Sequence, residues 1–320
     1  MKRIAVLTSG GDSPGMNAAI RAVVRCAIDK EMEVYGITRG YEGLLDGEIR
    51  QMDRNSVGDI LHRGGTILKT ARSERFRTAE GVKKGAEMLH TFGIEGLVVI
   101  GGDGSMRGAR ELSSHGIKVM CLPGTIDNDL NYTDYTIGFD TAVNTVLEAI
   151  SKLRDTSSAH DRTTVIEVMG RHCGDIALHA GLAGGAEAVL VPEVPVDINA
   201  ICRHIIEGSH RGKLHSIVIK AEGVDISSGE LARTIEARTG KEARKVVLGY
   251  LQRGGNPTLS DRKLATLTGA KAVDLLYEDS ASKAIGITRG EVMAYDLEEA
   301  MALPKEFDQK LYDLISILSK

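Results

Sequence analysis

Apolar residues along the chain fall into two patterns. Short, nearly unbroken runs rich in β-branched residues occur at 3–8 (RIAVLT), 96–100 (GLVVI), 118–122 (KVMCL), 163–168 (TTVIEV), 188–191 (AVLV), 216–220 (SIVIK) and 283–287 (KAIGI). They do not alternate apolar with polar positions, which suits strands covered on both faces. Between them lie helical patterns, among them 17–30, 79–92, 141–153, 197–209 and 306–319. Alternating strands and helices predict an α/β protein with largely parallel sheets flanked by helices. No Pro/Ser-rich linker marks a domain boundary. The pentapeptide GITRG occurs at 36–40 and again at 286–290, each time at the end of a predicted strand. It is read as strand-end similarity and not as a duplicated fold.

At 320 residues the chain has room for about two domains. A hydrophobic content of 42% with 26% charged residues is that of a globular protein. The formal net charge of −4 gives no general attraction to nucleic acid or to an acidic membrane surface. Cys26, Cys121, Cys173 and Cys202 form neither a Cys-x-x-Cys pair nor a zinc spacing. The first apolar run is too short for a signal peptide, and no segment approaches the ~20 apolar residues of a membrane span. A reduced, cytoplasmic protein is expected.

Several predicted strands run into glycines, and in open α/β sheets ligands sit beyond the carboxyl ends of strands. SGGDSPGMN (9–17) follows the first strand and opens a helix, where bare amides attract anions. The Gly10 to Gly15 spacing matches a phosphate-binding Walker loop, but Met16 and Asn17 replace its Lys and Ser/Thr. A tight strand-to-helix turn is the competing reading. GGDGS (101–105) leaves a polyphosphate room to approach the backbone, and Asp103 then reaches a bridging metal; magnesium prefers one or two carboxylates plus phosphate oxygens. The alternative is an N-cap for a helix at 105–115. In LPGTIDND (122–129), two acids beyond a strand end are able to hold a metal, take a proton or cap a helix. Arg72 suits bridging of two phosphates, whereas Arg75 reads as a solvated surface residue. Arg162, Arg171, Arg244 and Arg253 each fall near a strand end or glycine turn; singly each reads as a surface arginine, and as a group they suit a site for two phosphorylated ligands.

Taken together, LTSGGDSPGMNAAIR, VVIGGDGS, LPGTIDNDL, LRDTSSAH, EVMGRHCGD and LQRGGNP resemble, in order and spacing, the bacterial ATP-dependent 6-phosphofructokinases. The resemblance extends from Met1 to about Leu303. It implies transfer of the ATP γ-phosphoryl group to the C1 hydroxyl of fructose 6-phosphate, a committed step of glycolysis, with Mg²⁺ as cofactor. It also implies a homotetramer of two-lobed subunits. Residues 1–138 and 251–301 would form the larger, ATP-binding lobe; residues 139–250 and 302–320 would form the smaller, sugar-phosphate-binding lobe.

On this resemblance Gly11, Arg72, Ser73, Phe76 and Arg77 fall at nucleotide positions, as do Gly102, Gly104, Ser105 and Gly108, with Asp103 on the metal. Thr125, Ile126, Asp127, Met169, Gly170 and Arg171 fall at the sugar phosphate, together with Glu222, Arg244, Tyr250 and Arg253. Arg162 matches an arginine that the family supplies to a neighbouring subunit's site. An attacking alcohol needs a base and the phosphates need a cation. Asp127 matches the base, Asp129 orients it or a nearby arginine, Thr125 and Arg72 serve the moving phosphoryl group, and Arg171 is a further catalytic position at the sugar phosphate. Tyr250 departs from the pattern, since the family usually has histidine there, against the 6-phosphate.

Pyrophosphate-using relatives carry an acid after GGD and a lysine before TIDND; Gly104 and Gly124 stand here, which favours ATP. Arg21 and Arg25, four apart on one helix face, become a favourable pair once an anion lies over them. With Arg54, Arg154, Arg211, Lys213 and His215 they match the family's effector pocket for ADP or phosphoenolpyruvate, and Gly185 and Glu187 match the part that meets the effector's metal. His172 and Cys173 are read as packing residues and not as a nucleophilic pair, because no third group orients the histidine. A kinase for another sugar phosphate is the alternative enzyme. A non-catalytic binding protein is the other class, and it would need neither Asp103 nor Asp127.

Overall fold

The computed structural model describes residues 1–319. In chain order the elements are β1 (Arg3–Thr8), α1 (Met16–Asp29), β2 (Glu33–Ile37), α2 (Gly40–Asp46), β3 (Ile49–Met52), α3 (Ala79–Thr91), β4 (Gly96–Gly101), α4 (Asp103–Ser113), β5 (Lys118–Thr125), β6 (Ile137–Gly138) and α5 (Phe139–Ala159). They continue with β7 (Thr163–Val168), α6 (Asp175–Gly184), β8 (Ala188–Leu190), α7 (Ile198–His210), β9 (Ser216–Ala221), α8 (Ser228–Thr239), β10 (Ala243–Val247), α9 (Leu259–Tyr277), β11 (Lys283–Thr288), β12 (Glu291–Asp296), α10 (Leu297–Ala302) and α11 (Gln309–Leu318). The chain divides into a larger unit, Met1–Thr141 with Arg253–Lys305, and a smaller unit, Ala142–Gln252 with Glu306–Lys320.

In the larger unit the strand order is β12-β11-β5-β4-β1-β2-β3, with β6 paired to β5. The interior pairs are parallel, and the outermost pairs β2/β3 and β11/β12 are antiparallel. Side chains alternate between the two faces of each strand, so each strand feeds two cores. Ile4, Val6, Val98, Ile100, Met120 and Leu122 pack with α1 and α9 on one face. Ala5, Leu7, Leu97, Val99, Val119 and Cys121 pack with α2, α3 and α4 on the other. That double coverage is why these strands read as unbroken apolar runs; each fully buried Leu, Ile or Val contributes roughly 1.5–3 kcal/mol.

Chain order reverses between β1 and β4. From β1 the chain proceeds outward through β2 and β3, and from β4 it proceeds the other way through β5. Such a switch point opens a crevice at the strands' carboxyl ends. SGGDSPG leaves β1 and GGDGS leaves β4, so the two glycine loops flank it.

A buried carboxylate secures the side of this crevice. Asp261, 1% exposed in the first turn of α9, accepts the N–H groups of Gly138 and Thr141, both at 2.8 Å, and the Thr141 hydroxyl. Thr258 caps α9 through the Asp261 N–H and donates its own N–H to Thr141 Oγ1 at 3.0 Å. Burial raises the Asp261 pKa, and these hydrogen bonds offset part of the rise.

In the smaller unit the sheet is β10-β7-β9-β8, parallel throughout. Both GITRG copies end in a left-handed turn: Arg39 and Gly40 have φ of 60° and 59°, Arg289 and Gly290 of 53° and 83°. The first turn leads into α2 and the second into β12, which is strand-end similarity only. No helix among the described residues is long and apolar enough to cross a membrane, and none of the four cysteines forms a disulfide.

Candidate active site

The carboxyl ends of β1, β4 and β5 lie side by side. The Ser9 N–H donates to Ile100 O at 3.0 Å, and Gly101 pairs with Pro123. Beyond them opens a cleft of about 770 Å³. Gly11, Arg72, Ser73, Phe76 and Arg77 line it, with Gly102, Asp103, Gly104, Ser105 and Gly108. Thr125, Ile126, Asp127, Asp129 and Arg253 line it too.

Local chemistry explains how these residues arrive. Gly15 turns the chain into α1 with φ 109°, a left-handed conformation that suits glycine. The Thr70 hydroxyl donates to Gly10 O at 2.8 Å, drawing the segment that carries Arg72 over the first glycine loop. No side chain caps α4, whose amino end opens on the cleft as a site for anions. Asp103 is the first residue of α4 rather than its cap, and its Oδ2 lies 2.8 Å from Arg107 Nη2 one turn on. The Asp127 N–H donates to Thr125 Oγ1 at 3.2 Å, which fixes the turn that follows β5. The Arg253 guanidinium is stacked over Gly11, where any Cβ would come within 2.5 Å of Nη1, and lies 3.9 Å from Asp12.

One wall is aromatic. Phe76 stacks on Tyr41 with centroids 4.1 Å apart, and the buried Tyr41 hydroxyl donates to Ser105 O at 2.6 Å. Burial pushes the Tyr41 pKa well up. Ser73 donates to Glu42 and Arg75 pairs with it at 2.5 Å; together they hold the Glu42 carboxyl below its usual range. Arg75 also pairs with Asp46 and does not line the cleft. Tyr41, Arg107 and Glu111 are cleft residues that the sequence reading missed. Arg107 was detectable, being four residues after Asp103 on one helix; Tyr41 arrives through tertiary packing alone.

Other residues named from sequence lie in the smaller unit. Met169, Gly170 and Arg171 follow β7, and Glu222 follows β9. Their loops are laced together: Glu222 N–H to Val168 O at 2.8 Å, Gly223 N–H to Gly170 O at 3.1 Å. The Met169 N–H donates to the fully buried Gln252 at 3.1 Å, next to Tyr250, which is 81% exposed. Arg162 precedes β7, and Arg244, exposed and 2.6 Å from Glu242, stands second in β10 opposite Thr164. Both therefore sit at the amino end of this sheet. The length of β7, about 20 Å at ~3.3 Å per residue, separates them from Met169–Arg171. In the 170–173 bend Cys173 is buried as expected, but His172 is exposed beside Arg171 and packs no core.

The effector candidates divide between the units. Arg21 and Arg25 share a face of α1, and Arg54 lies 3.8 Å from Asp29. In the smaller unit Arg154 donates to the carbonyls of Gly184 and Gly185, and buried Glu187 accepts the Ile217 N–H 3.5 Å from Lys213 on its other oxygen. His215 Nδ1 bonds the Ser158 hydroxyl at 2.7 Å, and Arg211 ends α7.

A cleft at a parallel-sheet switch point, edged by glycine loops, a helix amino terminus, arginines and carboxylates on separate loops, defines an α/β protein built to handle phosphate esters. The family model described as phosphofructokinase matches residues 3–276. The chain belongs to that family. It is 59% identical over 319 residues to the ATP-dependent 6-phosphofructokinase of Clostridium tetani and 58% identical over 320 to that of Clostridium acetobutylicum, all of each chain being covered. Among solved structures, phosphofructokinase from Saccharomyces cerevisiae superposes with a TM-score of 0.88 at 35% identity; all of this chain spans 48% of that one. A pyrophosphate-dependent phosphofructokinase from Marinobacter aquaeolei, 23% identical with a TM-score of 0.86 over 99% of this chain and 91% of that one, shares the fold.

Proposed function

We propose that the chain transfers the γ-phosphoryl group of ATP to the C1 hydroxyl of fructose 6-phosphate, giving fructose 1,6-bisphosphate and ADP. The observation that carries this reading is the placement of Asp103 and Asp127 beyond β4 and β5, neighbouring strands, on one cleft. Two carboxylates so placed divide the work. Asp127 takes the proton of the attacking hydroxyl. Thr125 and Arg72 meet the charge that develops on the moving phosphoryl group. Asp129 orients its surroundings. Asp103 fits magnesium: its carboxylate lines the cleft at the start of α4, and magnesium prefers one or two carboxylates with phosphate oxygens, so this residue would hold the ion beside the phosphates. When bound, magnesium neutralises charge on the phosphates. Arg107 is the cation it would displace from Asp103.

The larger unit carries the nucleotide, and the smaller carries Met169, Gly170, Arg171, Glu222 and Tyr250 for the sugar phosphate. ATP is the donor. A side chain at 124 would meet Ile100 Cγ2 at 2.9 Å and the Gly101 nitrogen at 3.0 Å, so the lysine of pyrophosphate-using relatives has no room. Position 104 is open, and glycine there leaves the nucleotide its space. The test is an ADP-release assay. Release that requires fructose 6-phosphate, with far lower turnover on magnesium pyrophosphate, is expected. ATP hydrolysis indifferent to the sugar phosphate would overturn the reading.

The remaining arginines serve a homotetramer. Arg162 and Arg244, at the amino end of the smaller sheet, reach a neighbouring copy's sugar phosphate. Arg21, Arg25 and Arg54 of one copy, with Arg154, Arg211, Lys213 and His215 of another, hold ADP or phosphoenolpyruvate, and Gly185 and Glu187 meet the effector's metal. Phosphoenolpyruvate is expected to raise the melting temperature of the wild type and not that of Arg211→Ala, and ultracentrifugation is expected to show four chains.

A further inference from the structure

Glu167 and Lys220 are direct register partners on β7 and β9, the two inner strands of the smaller sheet, so their side chains leave the same face. Lys220 is 2% exposed. Lysine is almost never buried to this degree unless its charge is matched. Its ammonium lies 3.4 Å from Glu167 Oε2 and donates to the carbonyl of Ala221 at 3.1 Å. The hydroxyl of Ser228, the first residue of α8, donates to the same Glu167 oxygen.

An ion pair with its lysine buried and its glutamate 23% exposed is a poor device for stability, because apolar residues of equal volume commonly do as well. Its geometry here suggests another use. The Ala221 carbonyl also accepts the Val224 N–H at 3.2 Å, closing the turn that presents Glu222 and Gly223. That turn rests on the 170–171 loop backbone to backbone: a Cβ on Gly223 would lie 2.0 Å from the Arg171 carbonyl oxygen. A shift of the Ala221 carbonyl therefore passes to Gly170 and Arg171 with no flexible side chain between to absorb it.

We infer that Lys220, anchored by Glu167 and Ser228, is a positioning residue: it fixes the 169–171 and 222–224 loops and thereby sets the affinity for the sugar phosphate. The affinity half of this inference rests on reading those loops as the sugar-phosphate site.

Lys220→Met keeps the length of the side chain and removes the donor. Loss of a charged hydrogen bond corresponds to roughly tenfold or more in an equilibrium. Amide exchange at Glu222, Gly223 and Val224 is expected to quicken by about that factor, while exchange in the larger unit stays as it was. KM for fructose 6-phosphate should rise roughly tenfold, with KM for ATP unchanged. The double variant Lys220→Met, Glu167→Gln leaves no charge buried alone. Its urea midpoint should return toward wild type while KM for the sugar phosphate stays raised, because Ala221 still lacks its lysine. If Lys220→Met does not fold, the double variant supplies both measurements. Unchanged exchange at 222–224, or a KM that recovers in step with the urea midpoint, would overturn the inference. If the wild type releases no ADP with fructose 6-phosphate, the site reading fails, and the exchange rates alone then decide whether Lys220 fixes these loops.

Discussion

Asp261, in the first turn of α9, holds Thr141, in the first turn of α5, through both its backbone N–H and its hydroxyl. Replacing Asp261 by Ala would remove the carboxylate that accepts from three buried donors. A cost of roughly 3 kcal/mol or more is expected, at about 1–3 per unsatisfied group. The pH dependence has a defined sign. The folded pKa is raised, so this group's contribution is largest below the unfolded value of about 4 and is lost as pH rises through the folded value. Asp261→Asn removes that slope. Urea midpoints of the wild type and Asp261→Asn, compared from pH 4 to 7, check this: their difference should change in that direction and then level off.

Asp127→Ser keeps a small polar side chain and removes the base. The kcat should fall by about 10²–10⁴, with a much smaller change in fructose 6-phosphate binding. Steady-state kinetics with a separate binding titration checks it, and an unchanged kcat would remove Asp127 from proton transfer.

Arg162→Ala should raise KM for the sugar phosphate and leave KM for ATP nearly unchanged. If Arg162 serves a neighbouring copy, a mixed assembly of Asp127→Ser and Arg162→Ala chains contains sites in which both residues are intact. Its activity at low fructose 6-phosphate should exceed that of the two single variants combined. Simple additivity would place Arg162 in its own chain's site.

Tyr250→His tests a departure from the family pattern. Tyrosine donates a hydrogen bond but stays neutral near pH 7, whereas imidazole becomes cationic below about pH 6.5. Arg244 and Arg253 are expected to carry most of the 6-phosphate charge, so binding should tighten by under about tenfold, mainly at low pH, with kcat hardly moved. KM profiles from pH 6 to 8.5 that run parallel for the two proteins would show that position 250 does not act through charge.

What the sequence made legible follows from coverage. Strands buried on both faces stood out as apolar runs. Among the strands that went unread, β3 (IRQM), β10 (ARKVV) and β12 (EVMAYD) lie at sheet edges, where water reaches one side and polar residues interrupt the pattern. The cleft loops were legible because glycines and acids at strand ends have few other uses. Asp261 and Lys220 were not. Their meaning depends on partners 120 and 53 residues away, and nothing local distinguishes Lys220 from the end of an apolar run. Arg162 and Arg244 could be named as arginines, but only the strand register shows that they share the amino end of one sheet.

The order of strands also governs how the protein emerges from the ribosome. The smaller sheet is assembled from β7 to β10, which follow one another along the chain. The larger one is not: β5 ends at Thr125, and its neighbour β11 begins only at Lys283. Until β11 is made, the β5 edge at Met120 and Cys121, where Lys283 and Ala284 pair, is expected to stay open, the kind of edge that recruits chaperones or pairs with a second chain. Chains truncated before Lys283 are expected to co-purify with chaperones or precipitate, and chains carried past Asp296 are not, because the β11–β12 hairpin has then closed the edge. Translation of β11 and β12 is thus the point at which a growing polypeptide stops being a hazard to its neighbours.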